Sequence, residues 1–199
     1  MAIVRGWDHN KSEATKGAGD RLKLEPGQKT MIRIIDDLET EAAGVYEHWV
    51  VIEEEDDNGK VTKEKRLVYC PGEDVCPLCA AGNAARYSFH FTVLDYGKDG
   101  KDAPVVKYMK GSKTFVREQL TPYVDEEEYK SKFADWTFRL IAEAAGKGKF
   151  AHIAYQLVPL KVRPMTAEEK ELRKIDWDLR IILQKPKAIE AIIAKIVEE

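Results

Sequence analysis

Residues 70–79 read Cys70-Pro-Gly-Glu-Asp-Val-Cys76-Pro-Leu-Cys79, and residues 86–96 read Arg86-Tyr-Ser-Phe-His-Phe-Thr-Val-Leu-Asp-Tyr96. These two stretches decide the reading. In the second, Tyr87, Phe89, Phe91 and Val93 share one face, while Ser88, His90, Thr92 and Leu94 share the other. That period of two is a β-strand. The first is a turn-rich knuckle stiffened by Pro71, Pro77 and Gly72. Cys76-x-x-Cys79 lets two sulfurs face a single ion, and Cys70 adds a third from the end of the preceding strand. Three cysteines cannot pair off completely as disulfides, and all three fall within ten residues. Such clustering reads as metal before disulfide.

A tetrahedral Zn²⁺ needs a fourth nitrogen or sulfur ligand. The chain has four histidines. His9 lies in a polar opening segment and His152 far along the chain. His48 sits on a strand that pairs, through an Asn58-Gly59 turn, with the strand ending at Cys70. His90 lies eleven residues after Cys79. Spacing alone leaves His48 and His90 both open. A closed Cys₃His set would be structural, because no position remains for a substrate. Proline, glycine and the Glu73-Asp74 pair around the sulfurs do not describe a buried apolar core. A redox Cys-Pro-Leu-Cys pair would want a strand-to-helix context and would leave Cys70 without a role.

Outward from the knuckle, 29–35, 45–53, 61–69 and 105–110 read as strands by β-branched content and alternation. Asn58-Gly59 is a favoured hairpin turn. Ser112 caps a helix through about 120, and 125–133 reads as a second short helix. Strands at 136–142 and 150–158 flank Gly146-Lys-Gly-Lys149. Thr166-Ala-Glu-Glu169 fits a capping box, and Leu172, Ile175, Leu179, Ile182 and Leu183 follow helical spacing. After Pro186, residues Ile189, Ile192, Ile193, Ile196 and Val197 form an amphipathic stripe. Such a stripe packs on the protein's own barrel, on a second copy in self-association, or on another protein. Strands do not alternate with helices, so a doubly wound α/β fold is excluded and a small barrel or two-layer β fold is expected. The boundaries are a loose arm over 1–28, a β domain over 29–163 with a zinc subdomain at about 45–85, and a helical appendage over 164–199.

The 199 residues are 44% apolar and 34% charged, enough for a core and not the composition of a disordered chain. No apolar run exceeds four residues, so no membrane span is expected. The opening Met1-Ala-Ile-Val-Arg-Gly-Trp-Asp-His9 is too polar for a secretory signal, and the expectation is a soluble, cytoplasmic protein. Net charge is −3, unlike a general nucleic-acid binder. The sum hides a gradient, from −6 over residues 1–60 to +3 over 61–123.

The order of a His-bearing strand, three cysteines ending in Cys-Pro-Leu-Cys79, the aromatic strand from Arg86, a Gly/Asp loop, Val-Val-Lys107-Tyr108-Met-Lys-Gly111 and a short helix resembles the single-stranded-DNA-binding (helix-destabilising) proteins of tailed phages, including the T-even type. The similarity covers roughly residues 30–160. It implies an OB fold with a structural zinc and a host-cell cytoplasmic location. It also implies a part in phage DNA replication, recombination and repair, alongside other phage proteins of those processes. It points to His48 as the fourth ligand of Cys70, Cys76 and Cys79. It makes Tyr87 and Phe89 resemble the aromatics after the zinc loop, and Lys107 and Tyr108 the basic-aromatic pair on the next strand. Three features depart from the pattern. The arm has only scattered basic residues, the chain ends in a striped helix and Glu198-Glu199, and the acidic run 53–57 has no counterpart.

Sequence-tolerant binding of single strands needs cations along the phosphates and flat rings under the bases. The candidate cations are Arg33, Arg66, Arg86, Lys107, Lys110, Arg139, Lys147 and Lys149. The candidate rings are Trp49, Tyr87, Phe89 and Tyr108, with Trp136 in reserve. The expectation is a non-catalytic, zinc-bearing, OB-fold-like protein that coats single-stranded DNA. A zinc-stabilised adaptor acting through the terminal helix is the rival. An enzyme is not expected, since no open metal site or nucleophile-base pair is legible.

Overall fold

The computed structural model describes residues 21–55, 59–126, 129, 133–148 and 151–196. The fold is mainly β. Its strands are β1 (Lys29–Ile34), β2 (Ala43–Glu55), β3 (Val61–Tyr69), β4 (Arg86–Asp95), β5 (Val105–Ser112), β6 (Trp136–Ala145) and β7 (His152–Val162). The helices are α1 (Pro77–Ala80), a helical run over 113–125 (α2), α3 (Ala167–Glu171), α4 (Trp177–Arg180) and α5 (Pro186–Ile193). Contacts divide the chain into two compact units, one of residues 1–43 and 89–180, the other of 44–88 and 181–199. The segment 164–199 is thus split between them. Among the described residues no helix is long and apolar enough to cross a membrane.

In the first unit the strand path is β4-β1-β6-β7, with β5 on β4. The β1–β4, β1–β6 and β6–β7 pairs are antiparallel. The sheet is open, and among the described pairings none closes it from β7 back to β4 or β5. Alternation decides its inner face: Ile32 and Ile34, Phe91 and Val93, Met109, Phe138 and Leu140, and Leu157 all point into one core. Phe115 and Leu120 of α2 close that core. Ser112 caps α2, its Oγ accepting from the Phe115 N–H at 3.2 Å. Each such large apolar side chain contributes on the order of 2 kcal/mol relative to exposure. Leu22 and Leu24, read from sequence as part of the arm, are buried in this core, and Leu22 N–H donates to the Tyr108 carbonyl at 2.8 Å. Residues 1–20 of the arm, His9 among them, lie outside the described residues.

The other face of β4 explains why 164–180 is not one helix. The Thr166 capping box forms, with Thr166 Oγ1 accepting from Glu169 N–H at 3.2 Å and Glu169 Oε2 accepting from Thr166 N–H at 2.9 Å. The helix then stops at Leu172, which turns extended (φ −71°, ψ 124°). Beyond it the chain bonds sideways. Leu172 packs with Ile35, Leu94 and Tyr96. Ile175 N–H donates to Thr92 Oγ1 at 3.3 Å, and Trp177 Nε1–H donates to Asp36 Oδ2 at 2.9 Å. Tertiary partners outcompete the helical period of Leu172 and Ile175; the Leu179 side chain is outside the described part. α2 ends at Asp125 and Phe133–Asp135 is a 3₁₀ turn; of the short helix expected over 125–133, Tyr129 is helical, and residues 127, 128 and 130–132 lie outside the described residues.

The second unit is the β2–β3 hairpin, the knuckle and α5. The register pairs His48 with Val68, Trp49 with Leu67 and Glu53 with Lys63. Asp56, Asp57 and Asn58 at its tip lie outside the described residues. Val50, Ile52, Val68, Cys70, Cys76 and Leu78 form a core with Ile189 and Ile192 of α5. Ile189 and Ile192 of the isoleucine stripe are therefore buried within this unit, with Ile193 packed against them. Ile196 bridges to Ile52, and Glu53 N–H donates to the Lys195 carbonyl at 3.0 Å. Val197 lies outside the described residues.

Candidate functional site

The hairpin register carries His48 to the end of β3, where the knuckle begins. Cys70 leaves β3, and its N–H donates to the Tyr46 carbonyl at 2.8 Å, which ties the knuckle to β2. Gly72 (φ 128°) makes the bend, a backbone conformation L side chains rarely adopt. Pro77 starts α1, whose one turn puts Cys76 and Cys79 on the same side. The result is a four-cornered cluster of His48, Cys70, Cys76 and Cys79, whose ligand atoms all lie within 4.8 Å of one another. His48 Nε2 stands 3.3 Å from Cys76 Sγ and 3.6 Å from Cys79 Sγ, and Cys70 Sγ stands 3.7 Å from Cys79 Sγ. All three cysteines are free thiols, with no disulfide among them. The residues suit a metal ion. His90 is elsewhere, in the first unit.

Asn83 completes the arrangement. His48 Nδ1 is 3.1 Å from Asn83 Oδ1, and Asn83 Nδ2 donates to the Trp49 carbonyl at 3.4 Å. An Nδ1–H pointed at that oxygen leaves Nε2 as the lone-pair nitrogen facing the sulfurs, the tautomer a metal needs. Burial, with the Cys70 and Cys76 sulfurs alongside, pushes the Cys79 thiol up to about 12. A cluster so crowded resists losing protons by itself; a cation at its centre is what would turn the thiols into thiolates. Sequence spacing offers no sign of Asn83, because the partner of Nδ1 depends on how the loop after α1 returns.

The candidate DNA contacts separate into several groups. Arg33 is fully buried, opposite Leu94 in the ladder, and its Nη1–H donates to the Ala134 carbonyl at 3.2 Å. It is not a surface cation: its guanidinium reaches the Ala134 carbonyl, and Met31 and Ile35 on the same face of the strand pack with Leu94, Met165 and Leu172. Phe89 is half-buried against the first unit's core, 5.8 Å from Phe91, and is not an open ring. Lys107 is paired with Asp95 at 2.7 Å. Arg66 is paired with Glu54 at 3.0 Å, so the acidic run engages the hairpin's own arginine. Lys195 stands 3.9 Å from the same Glu54. Arg139 and Lys147 are exposed on and beside the β6–β7 hairpin; Lys149 lies outside the described residues.

Open aromatics remain on the second unit. Trp49 is 48% exposed on β2, and Tyr46, which the sequence reading did not single out, is 57% exposed. Tyr46 meets Tyr87 edge-on at 5.5 Å. Tyr87 is half-buried because its ring lies over Gly44; a Cβ there would stand 2.7 Å from the tyrosine hydroxyl. Arg86, one residue before it, is exposed.

On the first unit, Tyr108 and Lys110 share a face of β5, and His90 of β4 lies beside Tyr108 with the two rings parallel (6.3 Å, 4°). Arg180 stands over the Tyr108 ring, its guanidinium carbon 4.0 Å from the centroid. Burial lowers His90 to about 4, helped by the positive charges of Lys110, Arg21 and Arg180. The imidazole is therefore neutral near pH 7, with three cations close enough to act on it. Arg21, Trp177 and Arg180 were not among the residues read from sequence. Arg21 falls in the segment read as a loose arm, and the other two in a segment read as a separate appendage. No protein-family model matches the chain, and no curated protein matches it in sequence.

Proposed function

We propose that this protein is a non-catalytic, sequence-tolerant binder of single-stranded DNA, with one structural zinc ion and an OB-like β domain. The observation that carries the proposal is the convergence on the β4–β5 face of the Tyr108 ring with Arg21, which bridges to it, Lys110, which shares its face of β5, and Arg180, which stands over it. Rings for bases and cations for phosphates are what unpaired strands require. Exposed Trp49 and Tyr46 and the Arg86–Tyr87 pair supply the same two kinds of group on the second unit. The five strands β1, β4, β5, β6 and β7 in an open antiparallel arrangement are compatible with a partly open OB barrel.

Zinc is favoured by the donor set of three sulfurs and one imidazole. Zn–S bonds of ~2.3 Å and a Zn–N bond of ~2.0 Å at tetrahedral angles give N···S edges of about 3.5 Å and S···S edges of about 3.8 Å. Three of the six edges of the cluster, at 3.3, 3.6 and 3.7 Å, lie close to these values, and all six lie within 4.8 Å. His48, Cys70, Cys76 and Cys79 would fill all four positions, so the ion would stiffen the knuckle and leave no position for substrate. The adaptor alternative is weakened because Ile189 and Ile192, the centre of its docking stripe, are already buried in the second unit's core. A phage replication or recombination role, with partners from those processes, belongs to the same proposal and rests on the sequence resemblance.

The test is a titration of oligo-dT and of duplex DNA of equal length at two salt concentrations. The expected result is tighter binding to the single strand, weakening as salt rises. Equal affinity for both, or no salt dependence, would refute the proposal.

A further inference from the structure

Residues 166–180 lie along β4. Glu169 accepts from the Tyr96 hydroxyl at 2.8 Å and is ion-paired with Arg163. Leu172 packs with Leu94, Ile175 bonds Thr92, and Trp177 meets His90 edge-on at 5.7 Å. Each step moves the contact two residues back along β4, on the face that carries Thr92 and His90. Trp177 then meets Tyr108 edge-on at 6.1 Å, and Arg180 covers the Tyr108 ring. The track is built to hold. Trp177 is buried, and its indole N–H bonds Asp36 Oδ2, the same oxygen that accepts from the Thr92 N–H at 2.7 Å. Glu169 is equally buried and takes its bonds from Tyr96, Arg163 and the Thr166 N–H. Arg180 follows. It is half-buried, at the end of the track, and it meets the tyrosine through a cation–π contact, the kind of contact a nucleobase can replace.

We propose that this segment is a working part of the strand-binding face. Arg180 covers the Tyr108 ring in the free protein, yields that ring to a nucleobase, and takes a backbone phosphate instead. This rests on the single-strand reading above and deepens it by assigning a base-and-phosphate station on the β4–β5 face. The exchange is chemically even-handed. The ring keeps a flat partner throughout, and the guanidinium, a planar fork of donors, passes from a π face to a phosphate that it can bind through two N–H groups. Lys110 shares its face of β5 with Tyr108, and Arg21 bridges to Tyr108, so both would continue the phosphate path. Trp177, locked by Asp36, sets how far Arg180 can travel.

The experiment compares full-length wild type with Arg180→Ala, Arg180→Lys and Tyr108→Leu by oligo-dT titration over 0.05–0.4 M salt. Circular dichroism and bound zinc serve as controls for folding. One phosphate contact to a single strand is worth a slope of about 0.7 in log K against log salt, or roughly fivefold at 0.1 M. Arg180→Ala is expected to lose that fivefold and flatten the slope by about 0.7, while Arg180→Lys keeps the slope. Tyr108→Leu is expected to lose on the order of tenfold with the slope unchanged, the signature of a lost stack. If wild type binds and Arg180→Ala retains both affinity and slope, the station is refuted and the single-strand reading stands. If Arg180→Ala binds more tightly, Arg180 only obstructs the ring, and the exchange is equally refuted. If wild type itself prefers no single strand, the underlying reading fails, and the station with it.

Discussion

Replacing Ile189 by alanine tests whether α5 helps hold the His48–Cys70–Cys76–Cys79 cluster, the proposed zinc site. Ile189 is fully buried with Leu78, Cys70 and Cys76. Leu78 lies between the second and third cysteines, so whatever anchors it also fixes the sulfurs. Truncating a fully buried isoleucine to alanine costs about 2–5 kcal/mol, through lost transfer energy and the cavity left behind. A unit made of residues 44–88 and 181–199 falls below the ~70–80 residues at which a core sustains a fold without help. Metal binding to such a unit is largely its folding free energy. Most of a ~3 kcal/mol loss should therefore appear as metal affinity, weakening it by about a hundredfold at 1.4 kcal/mol per decade. The assay is competition for Zn²⁺ against a chromogenic chelator, with Ile182→Ala as control, since Ile182 is 55% exposed. Zinc affinity of Ile189→Ala within twofold of wild type would refute the coupling and reduce α5 to a passenger.

Three further outcomes are expected. His90→Ala should retain stoichiometric zinc by metal analysis and His48→Ala should lose it, while His48→Cys, which restores a fourth soft ligand, should recover binding. Asn83→Ala should weaken zinc about 10–100-fold in the same competition assay, the usual consequence of removing the partner that orients a ligating histidine. Acid should loosen the segment over β4. Burial alone would raise the Glu169 carboxyl, but Arg163, the Thr166 N–H and the Tyr96 hydroxyl hold it at about 2, below its ordinary 4.5. Its contribution is then complete above pH ~4.5 and is lost as pH falls toward 2, on the order of 3 kcal/mol in all. Urea midpoints measured between pH 6 and 2.5 should fall across that window, and less steeply in Glu169→Gln.

The local elements were legible because they follow from short-range pattern. Alternation marked β1 to β7, Ser112 and Thr166 marked helix starts, and the Cys70–Cys79 spacing marked the knuckle, each a consequence of where a side chain points a few residues on. The exposure of single rings was not legible. Tyr87 and Phe89 share a face by sequence, yet one lies over Gly44 and the other against Phe91. Arg33 read as a cation for DNA because a charged residue in a strand is normally solvated. It is buried among residues distant in sequence, with Ala134, 101 positions on, accepting from its guanidinium.

The same division runs through the whole molecule. By itself the chain determined a metal-type cluster of three sulfurs, a β-rich body and the caps, since these depend on bonding capacity and on periods of two and 3.6 residues. Spacing left the fourth ligand open between His48 and His90, the resemblance pointed to His48, and the fold brings His48 to the sulfurs; the Asn83 support and the union of Arg180 with Tyr108 were decided only in three dimensions. These contacts join residues from 22 to 72 positions apart or depend on the way a loop returns, and chain connectivity places no constraint on which face of a strand a distant segment will cover.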